Sequence, residues 1–301
     1  MQRPSVDEVV DRVSLWRDRD VRVSPLSGGL TNENYLVEAD GTRYVVRLPG
    51  ASTELLAVDR RNERHNAEAA SSTGVSPRIL EYLDDWSVMV LECIGGDTMT
   101  AERLREPAMP ERIATSLKRL HAGPRFLHDF DMFRTTEGYL RVVDDHAVPI
   151  PDGFLDRMAM VAELERVLSV NALPTVPCHN DLLAENYLDD GRQLWIIDFE
   201  YSGNDDPCFE LGDTAQECGY DDELRAALCA AYLGREDPVQ LARMELFAMM
   251  ADVGWTLWAA IQAQISAIDF DFLGWAVERW DRAVTLMDSD RWSSLIRTAA
   301  D

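Results

Sequence analysis

Residues 177–201 hold the groups whose types and spacing point most directly to chemistry. The chain there reads Pro-Cys-His-Asn-Asp-Leu-Leu-Ala-Glu-Asn-Tyr, then a short polar gap, then Leu-Trp-Ile-Ile-Asp-Phe-Glu-Tyr. Asp181 precedes Asn186 by a few residues, and Asp198 ends an apolar run. This order suits metal-assisted phosphoryl transfer. One carboxylate, Asp181, receives the proton of a substrate hydroxyl, while Asn186 and Asp198 hold magnesium against the phosphates of ATP. Positioning and charge neutralisation supply most of the catalysis in that reaction. The alternative is a polar loop and a hairpin whose acids are scattered by chance in an acidic chain. Four polar residues at this spacing, ahead of an apolar strand that ends in Asp198, favour the phosphotransferase.

The elements that must position these groups are legible on both sides. Val21–Leu26, Asn34–Glu38 and Arg43–Leu48 are short β-type runs separated by Gly-rich or Asp-Gly turns, as in a small antiparallel sheet. Asp59–Thr73 has a helical pattern that stops at Gly74, and Arg78–Leu83 and Ser87–Leu91 add two strands. The paired glycines of Glu92-Cys93-Ile94-Gly95-Gly96 mark a boundary between residues 1–94 and 95–301. Beyond it, Pro110–His121 and Phe154–Val170 are helical in period, and the stretch after residue 205 reads as helices broken at Gly219, Gly234 and Pro238. The expected architecture is α+β and bilobal, a five-stranded antiparallel lobe with one helix followed by a larger, mainly helical lobe that carries the catalytic loop.

The first lobe contains the candidate nucleotide groups. Gly28 and Gly29, between two strands, allow the backbone to approach phosphate, and Thr31 and Asn32 add donors. A plain turn is the simpler account of such glycines, and their place ahead of Arg47 favours the functional one. Strand alternation puts Tyr44, Val46 and Leu48 on one face and Arg43, Val45 and Arg47 on the other, toward the cleft. Arg47 is then a cation for the α- and β-phosphates. Glu63 and Glu68 are its candidate helix partners, and Glu63, earlier on the helix, is preferred. Backbone groups from Glu92 to Ile94 are expected to meet the adenine.

Composition narrows the partners. The 301 residues are 46% hydrophobic, enough for a sizeable core, and carry a net charge of −25. Such a surface argues against nucleic acid and anionic membranes, and makes a cationic substrate plausible. Five cysteines without C-x-x-C spacing suit a reducing cytoplasm rather than a disulfide framework. The first residues lack the apolar stretch of a signal peptide. The apolar segment Leu246–Ile265 contains Asp252, Gln262 and Gln264, so a buried helix is expected rather than a membrane span. His179 and His121 read as structural residues, and no zinc or iron site is expected from the histidine spacing.

Taken together, these stretches resemble the choline/ethanolamine kinase branch of the aminoglycoside phosphotransferase-like kinases, from about Leu26 to about Trp280. The resemblance rests on Gly28-Gly29-Leu30-Thr31-Asn32, Val46-Arg47-Leu48-Pro49-Gly50, Asn62-Glu63, His179-Asn180-Asp181 with Asn186, and Ile197-Asp198-Phe199-Glu200-Tyr201. Arg47 in place of the more usual Lys, the Asp-Phe-Glu-Tyr run, and the aromatic stretch from Trp255 to Trp275 point to this branch. The resemblance implies a protein-kinase-like fold, ATP and Mg2+ as cofactors, Asp181 as base, Asn186 and Asp198 as metal ligands, Arg47 as phosphate cation and Glu63 as its partner. It also implies that Glu200, Tyr201, Glu217, Trp255, Trp258, Phe270 and Trp275 surround a substrate cation. The chain departs from the pattern in three places: Leu182-Leu183 after the base, Glu210 where Asp is usual, and Trp275 where Tyr is frequent.

A quaternary ammonium has no N–H to donate, so it is recognised by ring faces and a nearby carboxylate, each ring contributing roughly 0.5–2 kcal/mol. Trp255 and Trp258 share one helix face. Plain core packing explains that pair alone; Phe270, Phe272, Trp275 and Glu217 favour a cation site. The expected reaction is transfer of the γ-phosphate of ATP to the hydroxyl of choline or ethanolamine. The alternatives are an aminoglycoside or amino-sugar kinase, whose ligands prefer acids to rings, and a non-catalytic nucleotide-binding module.

Overall fold

The structure is a computed structural model that describes residues 4–26, 31–50, 53–266 and 268–301. Five strands form one antiparallel sheet: β1 (Val21–Leu26), β2 (Glu33–Ala39), β3 (Thr42–Leu48), β4 (Ile79–Leu83) and β5 (Val88–Glu92), in the order β1-β2-β3-β5-β4. The β2–β3 turn is Asp40-Gly41, with φ of 50° and 77°. Two positive φ values in a two-residue loop match the twist of the flanking strands. Alternation along β3 buries Tyr44, Val46 and Leu48 on one face, as expected, and leaves Arg47 on the other.

The apolar face is covered by an element that the sequence reading missed. Helix α1 (Val6–Arg12) and the turn after it place Val9, Val13 and Trp16 against Val37, Tyr44, Val46, Val88 and Val90. Trp16 meets Tyr44 edge-on at 5.3 Å. The signal was there: Ser5 and Glu8 form a capping box. The first lobe therefore has two helices, not one. The second, α2 (Arg60–Ser72), packs on the opposite side, with the Asp59 side chain capping Arg61 and Asn62 N–H groups. Ala67 and Ala70 of α2 join the apolar cluster of the helical lobe, so α2 is the seam between the two cores.

After the short β6 (Asp97–Thr98) and α3 (Ala101–Leu104) come α4 (Met109–His121), α5 (Met132–His146) and α6 (Met158–Leu168). Helix α5 was not expected; Thr135, Thr136, Gly138, Val142 and Val143 weaken its local propensity, and packing against the core sustains it. Helix α6 starts four residues later than its periodicity suggests, because Leu155–Arg157 forms a 3₁₀ turn. Strand β7 (Val176–Cys178) and the hairpin β8 (Tyr187–Asp189) and β9 (Leu194–Ile196) frame the catalytic stretch, and β10 (Gly203–Asp205) returns antiparallel to β7.

Five helices complete the chain: α7 (Pro207–Glu217), α8 (Asp222–Leu233), α9 (Pro238–Ile265), α10 (Phe272–Met287) and α11 (Asp290–Ala300). Helix α9 is the axis of the lobe, with α5, α7, α10 and α11 against it. It is long and apolar enough to cross a membrane, yet its most apolar 18-residue window is 100% buried in protein, as expected of a core helix. Asp252, Arg243 and Gln262 on it are buried too, which a protein interior tolerates when each is paired. Arg243 holds Asp206 at 2.6 Å.

Helices α7 and α9 touch backbone to backbone. A Cβ on Gly212 would fall 2.3 Å from Met244 O and 2.8 Å from Ala248 N. Gly212→Ala must therefore separate the two helices, and overpacking of this kind costs about 1–3 kcal/mol. Urea unfolding of the variant should show a lower midpoint with unchanged slope; an unchanged midpoint would mean that the two helices part without strain.

Candidate active site

The site is built where β3, α2, the β9 end and α7 converge. Arg47 is buried, and its Nη2 lies 2.9 Å from Glu63 Oε1 on α2, 3.6 Å from Glu200 Oε2, and in closest contact with Asp198 Oδ1. Burial pulls its pKa down, but the charges of Asp198, Glu63 and Glu200 outweigh that and leave it above the ordinary value. Glu68, the other candidate partner, pairs with Arg64 instead. Arg60, which the sequence reading did not single out, joins the group at 2.7 Å from Glu63 Oε2 and 3.3 Å from Glu200 Oε2.

The glycine-rich connection meets this group through Asn32, whose Nδ2 donates to Glu200 Oε2 at 3.0 Å. Thr31 sits over Gly50, where a Cβ would come within 1.9 Å of Thr31 O, so only glycine lets the two segments pass. Gly28 and Gly29 lie outside the described residues. Glu92 ends β5 and bonds Arg78 at 3.0 Å, and Ile94 lies in the segment between β5 and β6. Behind Arg47 is a small cavity of about 30 Å³ whose walls include Glu63, Met89, Leu91 and Asp198.

The loop that carries Asp181 is held from three sides. Buried His179 donates from Nε2 to Ile197 O at 2.8 Å and accepts the Asp181 N–H at Nδ1, 3.3 Å away. Burial lowers its pKa, and these bonds require the neutral ring. On the second side, the Asn186 amide Nδ2 donates to Asp181 O at 2.7 Å, and Ile197 N donates to Asn186 O at 3.0 Å. The loop and the β9 end, with Asn186 and Asp198, are thereby joined. The third side is α7. Glu210 Oε2 accepts from Asn180 N at 3.0 Å, and Asp213 Oδ2 accepts from Leu182 N at 2.9 Å. Two carboxylates one turn apart thus grip the amides before and after Asp181. Asp213 was missed by the sequence reading; its place one turn after Glu210, on the helix that follows the Asp-Phe-Glu-Tyr run, was the available signal.

Asn180 and Asp198 have φ of 68° and 73°. Non-glycine residues in this region carry strain that surrounding contacts must hold, and such residues cluster at functional sites. Here the strained residues are Asp198 itself and the neighbour of Asp181.

Burial and neighbouring acids shape the protonation of this group. Asp181 is pushed well above the usual carboxylate range by burial, then by the charges of Asp213, Asp198, Glu200 and Glu217. Burial raises Glu200 to about 7, with Asp198 adding and Arg47 opposing. Asp213 rises to about 8 through burial and the charge of Glu217. Magnesium fits this donor set. The Asn186 oxygen, left over when its Nδ2 bonds Asp181 O, and the Asp198 carboxylate are hard oxygen donors at adjoining chain segments, in a site with surplus negative charge.

The aromatic residues do come together. Tyr201 meets Trp255 at 5.1 Å, Trp255 meets Trp258 at 6.3 Å, Trp258 meets Trp275 at 5.6 Å, and Phe270 meets Trp275 at 6.2 Å, all edge-on. Trp255 Nε1 donates to Asp213 Oδ1 at 3.0 Å and Trp258 Nε1 to Tyr201 Oη at 2.6 Å, which ties the rings to the loop. Two members already have a partner. Glu217 is ion-paired with Arg279 and lies 3.5 Å from Arg282, and the Arg279 guanidinium sits 3.1 Å from the Trp275 ring centre. The carboxylate and one ring face expected for a substrate cation thus hold a resident guanidinium.

A five-stranded antiparallel lobe and a helical lobe whose loop and hairpin carry Asp181, Asn186 and Asp198, the last in contact with Arg47 of the sheet, define a kinase-like phosphotransferase. Comparison with known proteins agrees. The chain belongs to the phosphotransferase enzyme family, whose profile matches residues 22–247, and within it to the choline/ethanolamine kinases. A choline/ethanolamine kinase family protein from Mesorhizobium loti superposes with a TM-score of 0.86 at 30% identity, covering 98% of this chain and 99% of its own. Ethanolamine kinase 2 of Mus musculus is 28% identical over 300 residues, which are 89% of this chain and 76% of that protein. The choline kinase LicA of Streptococcus pneumoniae shares the fold, with a TM-score of 0.79 at 22% identity over 93% of this chain and 98% of its own. The protein is a phosphotransferase with an alcohol group as acceptor.

The raised carboxylates give stability a definite pH dependence. Glu200 and Asp213 bind protons in the folded state up to pH about 7 and about 8, and release them near 4 when unfolded. Their contribution is present in full below pH 4 and is lost as pH rises through 7 and 8, at up to about 1.4 kcal/mol per pH unit for each group. The thermal midpoint of the ligand-free protein should fall between pH 5 and pH 8 and level off above, and Asp213→Asn should flatten that fall. A midpoint that rises over this interval would contradict the assignment.

Proposed function

We propose that the protein is an ATP- and magnesium-dependent kinase that phosphorylates the hydroxyl of choline or ethanolamine. The observation that carries the reading is the placement of Asp181. The loop amides on either side of it are held by Glu210 and Asp213, and the Asp213 carboxylate also takes the indole N–H of Trp255 from the ring cluster. The base and the rings that would receive the amine are therefore positioned by one side chain. In this reading Asp181, in its ionised form, accepts the hydroxyl proton as the oxygen attacks the γ-phosphate. Asn186 and Asp198 would hold magnesium, which neutralises phosphate charge when bound. Arg47 would turn toward the phosphates while Glu63 keeps its guanidinium in place. Asn32 and Thr31, with Gly28 and Gly29, would lie over the phosphates, and Glu92 to Ile94 would border the adenine.

At the amine end, Tyr201, Trp255 and Trp258 would supply ring surface, and Phe270 and Trp275 the outer wall. Glu217 would act through Arg279 rather than by direct contact. An amino-sugar acceptor is the second reading, favoured by one observation. A cavity of about 620 Å³ opens beside Glu200 and Tyr201, with Asp59, Asp129 and Asp131 on its rim. It is far larger than choline and offers acids to N–H donors. An ADP-release screen over choline, ethanolamine, an amino sugar and an aminoglycoside separates the two readings.

Two variants test the roles. Asp181→Asn keeps size and removes charge, and general-base assistance is typically worth about 10²–10⁴-fold. Its kcat should fall by at least the lower figure with little change in the KM for ATP; a loss of a few fold would leave Asp181 as a packing residue. Trp258→Ala removes one ring and the bond to Tyr201. It should raise the KM for choline by up to about thirtyfold, the equivalent of ~2 kcal/mol, with a smaller effect on ATP. Unchanged choline kinetics would make the ring cluster plain core.

A further inference from the structure

Among the described residues, seven buried side-chain nitrogen or oxygen atoms lack a hydrogen-bond partner, and three of the seven belong to two neighbouring side chains: Nε and Nη2 of Arg60, and Oδ1 of Asn32. Arg60 opens α2, and Asn32 immediately precedes β2. The two meet at one carboxyl oxygen. Asn32 Nδ2 donates to Glu200 Oε2 at 3.0 Å, and Arg60 Nη1 donates to the same atom at 3.3 Å. Arg60 Nη1 also donates to Glu63 Oε2 at 2.7 Å.

No charge is left over here, because Arg47 and Arg60 face Glu63, Asp198 and Glu200. What is incomplete is the hydrogen bonding. A buried donor or acceptor without a partner costs free energy, and native structures keep few of them. These three atoms are complementary, two N–H donors and one amide oxygen. Glu200 Oε2 accepts from Arg60, so the Asn32 nitrogen is the atom that belongs beside it, and the Asn32 oxygen is the one left without a donor. Arg47 crowds the same carboxyl oxygen, with Nη2 3.6 Å away.

We propose that Arg60 is a positioning residue of the nucleotide site, which fastens Asn32 to α2 when ATP is bound. The inference rests on the kinase reading above, in which Arg47 turns to the phosphates and keeps Glu63. Arg47 then leaves Glu200, and Arg60 is the cation that stays on it. The unused N–H groups of Arg60 take Asn32 Oδ1, so the entry to β2 is held over the phosphates. A guanidinium can serve Glu63, Glu200 and Asn32 together because its five donors are arrayed in one planar fork. Arg60 touches no phosphate in this account; it acts through Glu200 and Asn32.

The test is a double-mutant cycle read in ATP affinity. The full chain and its Arg60→Gln, Asn32→Ala and doubly substituted variants are titrated with ATP, in the presence of magnesium and without acceptor, by calorimetry. Each single substitution should weaken ATP about tenfold, and the double substitution little more than either alone. A contact equally strong with and without ATP cancels from this cycle, so coupling in affinity reports a bond made on binding. In turnover, the loss should fall on the KM for ATP rather than on the KM for the acceptor, a split that a loosened fold would not produce. Arg60→Lys keeps the charge without the fork and should recover only part of the affinity. Circular dichroism and the thermal midpoint establish that the variants are folded; should Arg60→Gln fail to fold, Arg60→Lys with Asn32→Ala completes the cycle. Losses that multiply in the double variant, or an unchanged ATP affinity in a folded Arg60 variant, would overturn the inference and leave the kinase reading standing. A wild type that takes up no ATP would remove both.

Discussion

A buried guanidinium in the wall between two lobes must be surrounded by carboxylates, and those carboxylates must come from elements able to meet there. Arg47 imposes that constraint. It draws Glu63 from α2, and Asp198 and Glu200 from the chain after β9, into one group, which Arg60 completes. Leaving such an ion unpaired costs several kcal/mol, so the sheet, α2 and the Asp-Phe-Glu-Tyr run are tied in mutual register. Two guanidinium groups thus face three carboxyl groups, of which Glu200 keeps its proton up to about pH 7. Under the proposed function, structural pairing and metal binding share the Asp198 side chain.

The second frame is α7. Its Glu210 and Asp213 fix the backbone around Asp181, and Gly212 between them lets α7 lie against α9. Helix α9 in turn carries Trp255, whose indole bonds Asp213. A shift between these helices would move Asp181 and the ring cluster together. This explains why an acid buried deeply enough to carry a pKa of about 8 is kept: its oxygens serve two donors that nothing else nearby satisfies.

Much of the architecture was legible in the sequence because its signals are local. Strand alternation with Asp-Gly and Gly-Gly turns outlined the sheet, and Asp59 with Gly74 bracketed α2 within a residue or so. Asp181, Asn186 and Asp198 could be singled out together because they are close in sequence, and the structure joins their segments through the Asn186 bonds to Asp181 O and Ile197 N. What escaped depended on contacts between distant segments. Helix α5 has weak propensity and exists by packing. Arg60 and Asp213 look like ordinary helix charges until Glu200 and the Leu182 amide come beside them. Arg279 could not be placed against Trp275 and Glu217 without knowing the angle of α10, so a carboxylate that read as open to a ligand is already paired.

The cysteines have a practical consequence. Cys178, Cys208, Cys218 and Cys229 are buried, and burial raises their thiols, most strongly at Cys178 and Cys208. A thiol without solvent and without ionisation is a poor nucleophile. Cys93 alone is partly accessible, and it lies in the segment that joins β5 to β6 between the two lobes. The unaltered protein therefore offers one partly accessible cysteine as a natural attachment point for a maleimide dye, in the segment that joins the two lobes.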